Sequence, residues 1–223
     1  MIEGKIGIGI TTYKRPECLE ICLEQIQAHT EDFEIFVYDD TKNKFGVAYG
    51  KNMCLKALSN CEHIFLFDDD CFPIHNNWTD WVINKAKETG QKHLLYLKDV
   101  GSIRCVKKEE NGLCVFNNCG GAFMYLHHDC LEKVGGMNKD YQRYGLEHAG
   151  YSIRINKAGL TQNAFVSVEG MGEYIYSLDT DFWMSYNIDI KPSLIDEMDE
   201  MNGWLFHNTE VFKKDIEIIY QEL

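Results

Sequence analysis

Three consecutive carboxylates, Asp68, Asp69 and Asp70, directly follow the apolar run "HIFLF" at 63–67. Acids this close repel one another, so a pKa rises unless a cation sits among them. A second acidic pair, Asp39-Asp40, closes another apolar run, "FEIFVY" at 33–38. Such oxygen donors suit Mn²⁺ or Mg²⁺, which often take only one or two carboxylates and complete their shell with phosphate and water. Candidate phosphate partners stand nearby in sequence: Lys14, Arg15, Lys42, Lys44 and Lys51. Farther along, Glu147 and His148 are adjacent, and either residue type can take a proton from a hydroxyl near neutral pH. His207, in "WLFHNTE", is an isolated further candidate. Acids, lysines and a base in one chain fit chemistry at a diphosphate bridged by a divalent cation.

The elements that must position these residues follow from periodicity. Residues 5–10, "KIGIGI", read as a buried strand running into Thr11, Thr12 and Tyr13. Pro16 opens a helix in which Leu19, Cys22, Leu23 and Ile26 recur at helical spacing. A second strand at 33–38, a helix from about Val47 to Leu58 and a third strand at 63–67 follow. Strand and helix in alternation predict a parallel α/β sheet. In such a sheet ligands bind beyond the carboxyl ends of the strands. Those ends carry Thr11-Thr12-Tyr13, Asp39-Asp40 and Asp68-Asp69-Asp70, three polar ends in register with one function. "GIGIT" is not a dinucleotide fingerprint, because Thr12 stands where a third glycine is needed for close helix packing.

The second half is less regular. A helix around Trp78–Glu88, a strand at 93–97 and two β-like runs flanking the Asn111-Gly112 turn are expected. A helix ends near Lys157 with Gly159 as C-cap, and another spans about Glu210–Gln221. Trp204 and Phe206 suggest a short strand around His207, and 170–203 reads as a long irregular loop of the kind that often forms a lid; Tyr174, Tyr176 and Trp183 within it and Trp204 just after it are aromatic rings of the kind that stack on sugar or base faces.

The 223 residues suffice for one domain, 45% of them hydrophobic. No apolar run reaches the length of a membrane span, and the first residues lack the basic start of a signal peptide. Nine scattered cysteines without a CxxC pair indicate free thiols and a cytoplasmic setting. A net charge of −13 argues against polyanionic partners such as nucleic acid. Nothing in the sequence bears on oligomeric state.

"ITTYKRPECLEICLEQI", "VYDDT", "GVAYGKN" and "FLFDDDCFP", followed by "NNCGGAFMYLHHDCLEKVGGMNKDYQRYGLEHAGYSIRINKAGL", resemble family 2-type glycosyltransferases of the GT-A fold, in the right order over roughly 5–160. The resemblance implies a Rossmann-like, mostly parallel central sheet flanked by helices, with a smaller mixed sheet on the acceptor side. It implies one GT-A domain, residues 1–98 binding the nucleotide sugar and 99–223 the acceptor. Thr11, Thr12, Tyr13 and Arg15 would lie against the donor's base and phosphates, with Asp39 reading the uracil and Asp40 beside it. Lys51 and Asn52 would approach the donor. Asp68 and Asp70 would be the two acids of the DxD motif around Mn²⁺ or Mg²⁺, Asp69 the variable middle residue, and His207 a late metal ligand. The expected reaction is transfer of a sugar from a UDP-sugar to the hydroxyl of a glycan or similar acceptor, with inversion. The family's acidic pair is here Glu147-His148, so the base is Glu147 or His148. Two other activities stay open: transfer to a hydroxylated base in DNA, and metal-dependent nucleotidyl transfer. A catalytically silent nucleotide-sugar-binding protein would keep Asp68 and Asp70 while tolerating loss of Glu147 and His148.

Overall fold

The computed structural model describes residues 4–97, 105–117, 119–178 and 198–223. Its centre is strand β1 (Ile6–Thr12), whose alternation sets the layering. Ile8 and Ile10 point into one core with Cys22 and Ile26 of helix α1 (Pro16–His29). Gly7 and Gly9 lie on the opposite face, where a Cβ on Gly9 would stand 2.6 Å from Cys54 Cβ of helix α2 (Val47–Ala57). The two glycines therefore serve close packing of helix on strand rather than a nucleotide loop.

Strand β2 (Phe33–Asp39) and strand β3 (His63–Asp68) both pair parallel to β1, with Thr12 opposite Asp39 and Thr11 opposite Asp68. This register brings the three polar strand ends to one edge. Phe65 and Phe67 of β3 join the core on the α1 side, together with Trp78 of helix α3 (Trp78–Thr89). Ile64 and Leu66 join the other core, between α2 and helix α5 (Glu147–Lys157). Continuous apolar character in β3 is what burial on both faces requires.

Strand β4 (Cys71–Pro73) leaves the acid triplet. Strand β5 (His93–Leu95) is the far edge of the central sheet, and β6 (Cys105–Lys108) and β7 (Leu113–Phe116) form the hairpin expected around Asn111-Gly112. Strand β8 (Phe123–His127) inserts antiparallel between β3 and β5, giving the order β2-β1-β3-β8-β5. Helix α4 (His128–Val134) follows. Strand β9 (Val166–Val168) completes a three-stranded sheet with β7 and β6. The short helix α6 (Met171–Tyr174) and strand β10 (Ile175–Ser177), which pairs with β4, occupy the start of the segment read as irregular. Tyr174 stacks on Trp81 at 4.3 Å and Tyr176 packs on Phe72. Trp183 lies outside the described residues.

The C-terminal region departs from expectation. A single helix, α7 (Met198–Asp215), replaces the short strand around His207 and the helix at 210–221. The reason is its buried face: Trp204, Asn208, Val211 and Asp215 are spaced four, three and four apart, which is helical. Among the described residues no helix is long and apolar enough to cross a membrane.

Candidate active site

Two basic side chains neutralise the acid triplet. Lys51 of α2, fully buried, donates to Asp68 Oδ1 at 2.8 Å and to the Gly121 carbonyl at 3.0 Å. The Arg15 guanidinium, at the mouth of α1, bridges Asp69 and Asp70, 2.8 Å from Asp70 Oδ2. Thr12 Oγ1 donates to Asp69 Oδ2 at 2.6 Å, and Thr11 Oγ1 lies 3.1 Å from Asp68 Oδ1. Burial opposes ionisation of Asp68, but Lys51 and neighbouring groups outweigh it and hold its carboxyl below the usual range. Burial likewise works against the Arg15 charge, and Asp70 and Asp69 more than restore it. Asp69 is fully buried, and burial pushes its carboxyl up against the pull of Arg15 and Thr12. It is a structural member of the cluster rather than a solvated spacer.

Asp68 and Asp70 keep exposed carboxylate surface, at 27% and 11% of their side chains. Among the described residues no group of three or more His, Cys, Asp or Glu could hold a metal. A divalent ion fits here only as Mn²⁺ or Mg²⁺ does in phosphate sites: carboxylate oxygens from Asp68 and Asp70, with phosphate and water supplying the rest. Arg15, already paired with Asp70, would compete with such an ion for that carboxylate. Arg15→Gln is therefore expected to tighten Mn²⁺ binding without nucleotide by about tenfold, read by isothermal titration calorimetry. Unchanged or weaker binding would place the ion elsewhere.

His207 is not brought to these acids. Its ring is exposed on α7, and Nε2 lies 2.9 Å from the Asp140 carbonyl. Two other sequence candidates hold the scaffold. Both carboxylate oxygens of Asp40 accept from the loop, Phe45 N at 2.9 Å and Gly46 N at 2.8 Å. Asn52 bonds Met137 through both ends of its amide, at 2.8 and 2.7 Å. Asp39 is exposed at the end of β2, accepting from Thr41 N at 2.8 Å, and the Lys14 ammonium stands over the Tyr13 ring.

Opposite Lys51 stands the first turn of α5. The loop before it turns sharply, with positive φ at Arg143, Gly145 and Leu146. Left-handed backbone at Arg143 and Leu146 costs energy that neighbours must offset. Asn208 of α7 does so. Fully buried, it accepts from Gln142 N at 2.8 Å and donates to the carbonyls of Gln142, Tyr144 and Gly145. Asn208 carries no signal in the sequence beyond its place on the buried stripe of α7, in the half of that helix lying before the expected start at about Glu210.

Glu147, the first residue of α5, is 2% exposed. Burial pushes its carboxyl up to about 7, with Asp68 adding to the shift and Lys51 and local backbone opposing it. Its Oε1 lies 3.1 Å from His148 Nδ1, while Oε2 is buried without a hydrogen-bond partner. His148 is driven down to about 3 by burial and by Lys51, so its imidazole is neutral. The structure thus gathers Thr11, Thr12, Arg15, Lys51, Asp68, Asp69 and Asp70 at the strand ends, with Glu147 and His148 at their border.

Gly121 belongs to this border. A Cβ there would stand 1.9 Å from His148 Nδ1. Gly121→Ala is expected to displace the imidazole from beside Glu147. A shift of the His148 ring resonances, with the fold retained by circular dichroism, checks that outcome.

No family model matches the sequence, and no curated protein matches it. Solved structures do match the fold. The mannosyltransferase PcManGT from Pyrobaculum calidifontis, in complex with GDP-Man and Mn²⁺, aligns with a TM-score of 0.54 at 14% identity over 70% of this chain and 52% of that one. The catalytic domain of Drosophila β1,4-galactosyltransferase 7, in complex with xylobiose, aligns with a TM-score of 0.51 at 17% identity over 87% and 78%. S. aureus TarS aligns with a TM-score of 0.56 at 15% identity, covering 84% of this chain and 40% of TarS. The chain therefore spans about half or less of two of these proteins. A mixed α/β sheet in this order, with these neighbours, has the fold of GT-A glycosyltransferases.

Proposed function

We propose that the protein is a glycosyltransferase that moves a sugar from a UDP-sugar to an acceptor hydroxyl, with inversion. One observation carries this reading: the buried Glu147 carboxylate, poised near neutrality with its Oε2 unpartnered, at the border of the acid and lysine cluster. Buried carboxyls without partners are costly, and one at such a place suits a general base. The neighbouring folds include proteins bound to GDP-Man and Mn²⁺ and to xylobiose, which favours a nucleotide-sugar donor and a saccharide acceptor here.

In this reading residues 1–98 bind the donor. Thr11, Thr12, Tyr13 and Asp39 line the strand ends that take the nucleoside, and Arg15 turns from Asp70 toward the diphosphate. Asp68 and Asp70 would hold Mn²⁺ or Mg²⁺, which would supply neutralising charge for the departing diphosphate. Residues 99–223 bring the acceptor to Glu147. Its Oε2 takes the hydroxyl proton as the acceptor oxygen bonds to the anomeric carbon. The bond from that carbon to the diphosphate breaks, and its electron pair leaves with the nucleotide. A single direct displacement of this kind inverts the carbon.

A thermal-shift panel of nucleotide sugars, with and without Mn²⁺, followed by acceptor screening with the best donor, tests the proposal. The expected result is stabilisation by a UDP-sugar that needs Mn²⁺ and is abolished in Asp70→Asn. No nucleotide sugar stabilising the protein, or equal stabilisation of Asp70→Asn, would sink the assignment.

A further inference from the structure

The two-stranded ribbon of β4 and β10 leads away from the acid triplet. It starts at the acids, because Leu178 N donates to the Asp70 carbonyl at 2.8 Å. From there Ser177 pairs with Cys71, Tyr176 with Phe72 and Ile175 with Pro73, and Ile74 N donates to the Tyr174 carbonyl at 2.8 Å. Side chains alternate along a strand, and burial follows the alternation. Ile175 and Ser177 are buried, while Tyr174, Tyr176 and Leu178 are half-buried. The outer face of the ribbon therefore carries a row, Leu178, Tyr176 and Tyr174, that begins beside Asp70. Tyr174 lies across from Ile74, four residues beyond Asp70, or roughly 13 Å at the rise of an extended strand. Trp81 of α3 lengthens the row by stacking on Tyr174, 4.3 Å away with 15° between the planes, and the exposed His75 ring lies 5.0 Å from Tyr174. His75 Nδ1 is 2.7 Å from the Asn76 carbonyl, which can only accept, so Nε2 is left to meet an outside group.

We infer that this row is a distal binding site for the acceptor, and that the acceptor is an uncharged oligosaccharide chain rather than a single sugar. This rests on the transferase reading above and narrows it to a substrate class. Aromatic rings offer an apolar body to the C–H faces of a sugar, and their phenol and imidazole tips meet its hydroxyls. A row of aliphatic side chains would lack those tips. None of the row's residues is Lys or Arg, so a polyanionic chain finds no countercharge along it. Length follows from position. One sugar held at the acids stops short of Tyr174, whereas a chain whose reacting end sits there passes Leu178 and Tyr176 before reaching the Tyr174, Trp81 and His75 rings. These residues position the chain and take no part in bond making.

An array of uncharged glycans, from monosaccharides to hexasaccharides, tests this on the whole chain without any donor. The wild type is expected to retain at least one series with affinity that climbs with chain length, by about tenfold or more from monosaccharide to hexasaccharide. Tyr174→Ala and His75→Ala should each lose about tenfold on the longest chain, and Tyr174→Phe, which keeps the ring, should retain most of it. Mn²⁺–UDP affinity should stay as in the wild type in all three. His75 is exposed, so its variant keeps the test valid even where loss of the Tyr174 ring disturbs packing on Trp81; circular dichroism checks both folds. A wild type that holds no chain better than its monosaccharide, or a length preference that survives both alanine variants, overturns the inference. Chains bound through the row, with no nucleotide sugar stabilising the protein, would instead remove the transferase reading, so the two failures are told apart.

Discussion

Replacing Glu147 by Gln is expected to lower turnover by about 10²–10⁴-fold, the usual contribution of a general base, with Mn²⁺–UDP affinity unchanged. The argument is positional before it is electrostatic. Glu147 sits at the N-terminus of α5 with one oxygen on His148 and one unpartnered. Its surroundings fix the pH dependence: His148 beside it, Lys51 and Asp68 close enough to act on its charge, and Cys119 and Tyr141 on adjoining segments. A base must be ionised, and burial raises this carboxyl from 4.5 to about 7. So kcat/KM should rise with pH and level off above about 7. His148, already neutral down to about 3, adds no limb within the working range.

Linkage gives the same substitution a second signature. A carboxyl whose folded pKa is raised binds its proton more tightly in the folded state, so it costs stability as pH rises from the unfolded value through about 7. Glu147→Gln removes that cost, and the variant should be the more stable protein above pH 7, by about 3 kcal/mol. Urea titrations at pH 5 and pH 8 measure it. A variant that is both active and no more stable at pH 8 would mean that Glu147 is neither base nor buried charge.

How far the sequence discloses this site depends on how local each signal is. The strand ends are legible because β1, β2 and β3 are short apolar runs that each stop at polar residues, and parallel pairing aligns the stops. Glu147-His148 is legible through the family resemblance, and Gly121 not at all, since its role is to leave room for a ring 27 positions away in the chain. Strand β8 is hidden because "GGAFMYLHH" is apolar on both faces and pairs antiparallel at long range with β3 and β5. Asp40 and Asn52 carry the right residue types at the right places for a ligand, yet their atoms are taken by backbone groups. Only the partners of those groups tell scaffold from site. The full span of helix α7 escapes, only its end falling in the helix expected from about Glu210, because two of its buried positions, Asn208 and Asp215, are polar, which breaks the apolar stripe from which a helix is read.

Those same polar positions yield the largest expected loss of stability. Arg154 of α5 and Asp215 of α7 are both fully buried, with Nε 3.1 Å from Oδ1. The guanidinium also donates to the carbonyls of Val134, Gly136 and Ile219, and Asp215 Oδ2 accepts from the Tyr141 hydroxyl at 3.0 Å. Gly150 makes room, for a Cβ there would stand 2.3 Å from Asp215 Oδ2. Removing one partner of a buried ion pair strands the other charge, so Arg154→Ala should cost about 3–5 kcal/mol, a fall in Tm of roughly 10 °C for a chain of this size. The loss should reach the site, because α7 also carries Asn208, which holds the loop before Glu147. Turnover should therefore fall in Arg154→Ala even at temperatures where it remains folded. The double variant Arg154→Met with Asp215→Leu removes both charges and should recover most of the stability, less the cost of leaving the Tyr141 hydroxyl unpaired. If Arg154→Ala loses less than about 1 kcal/mol, Asp215 has found water or neutralised its charge, and α7 is not clamped to α5 by this pair.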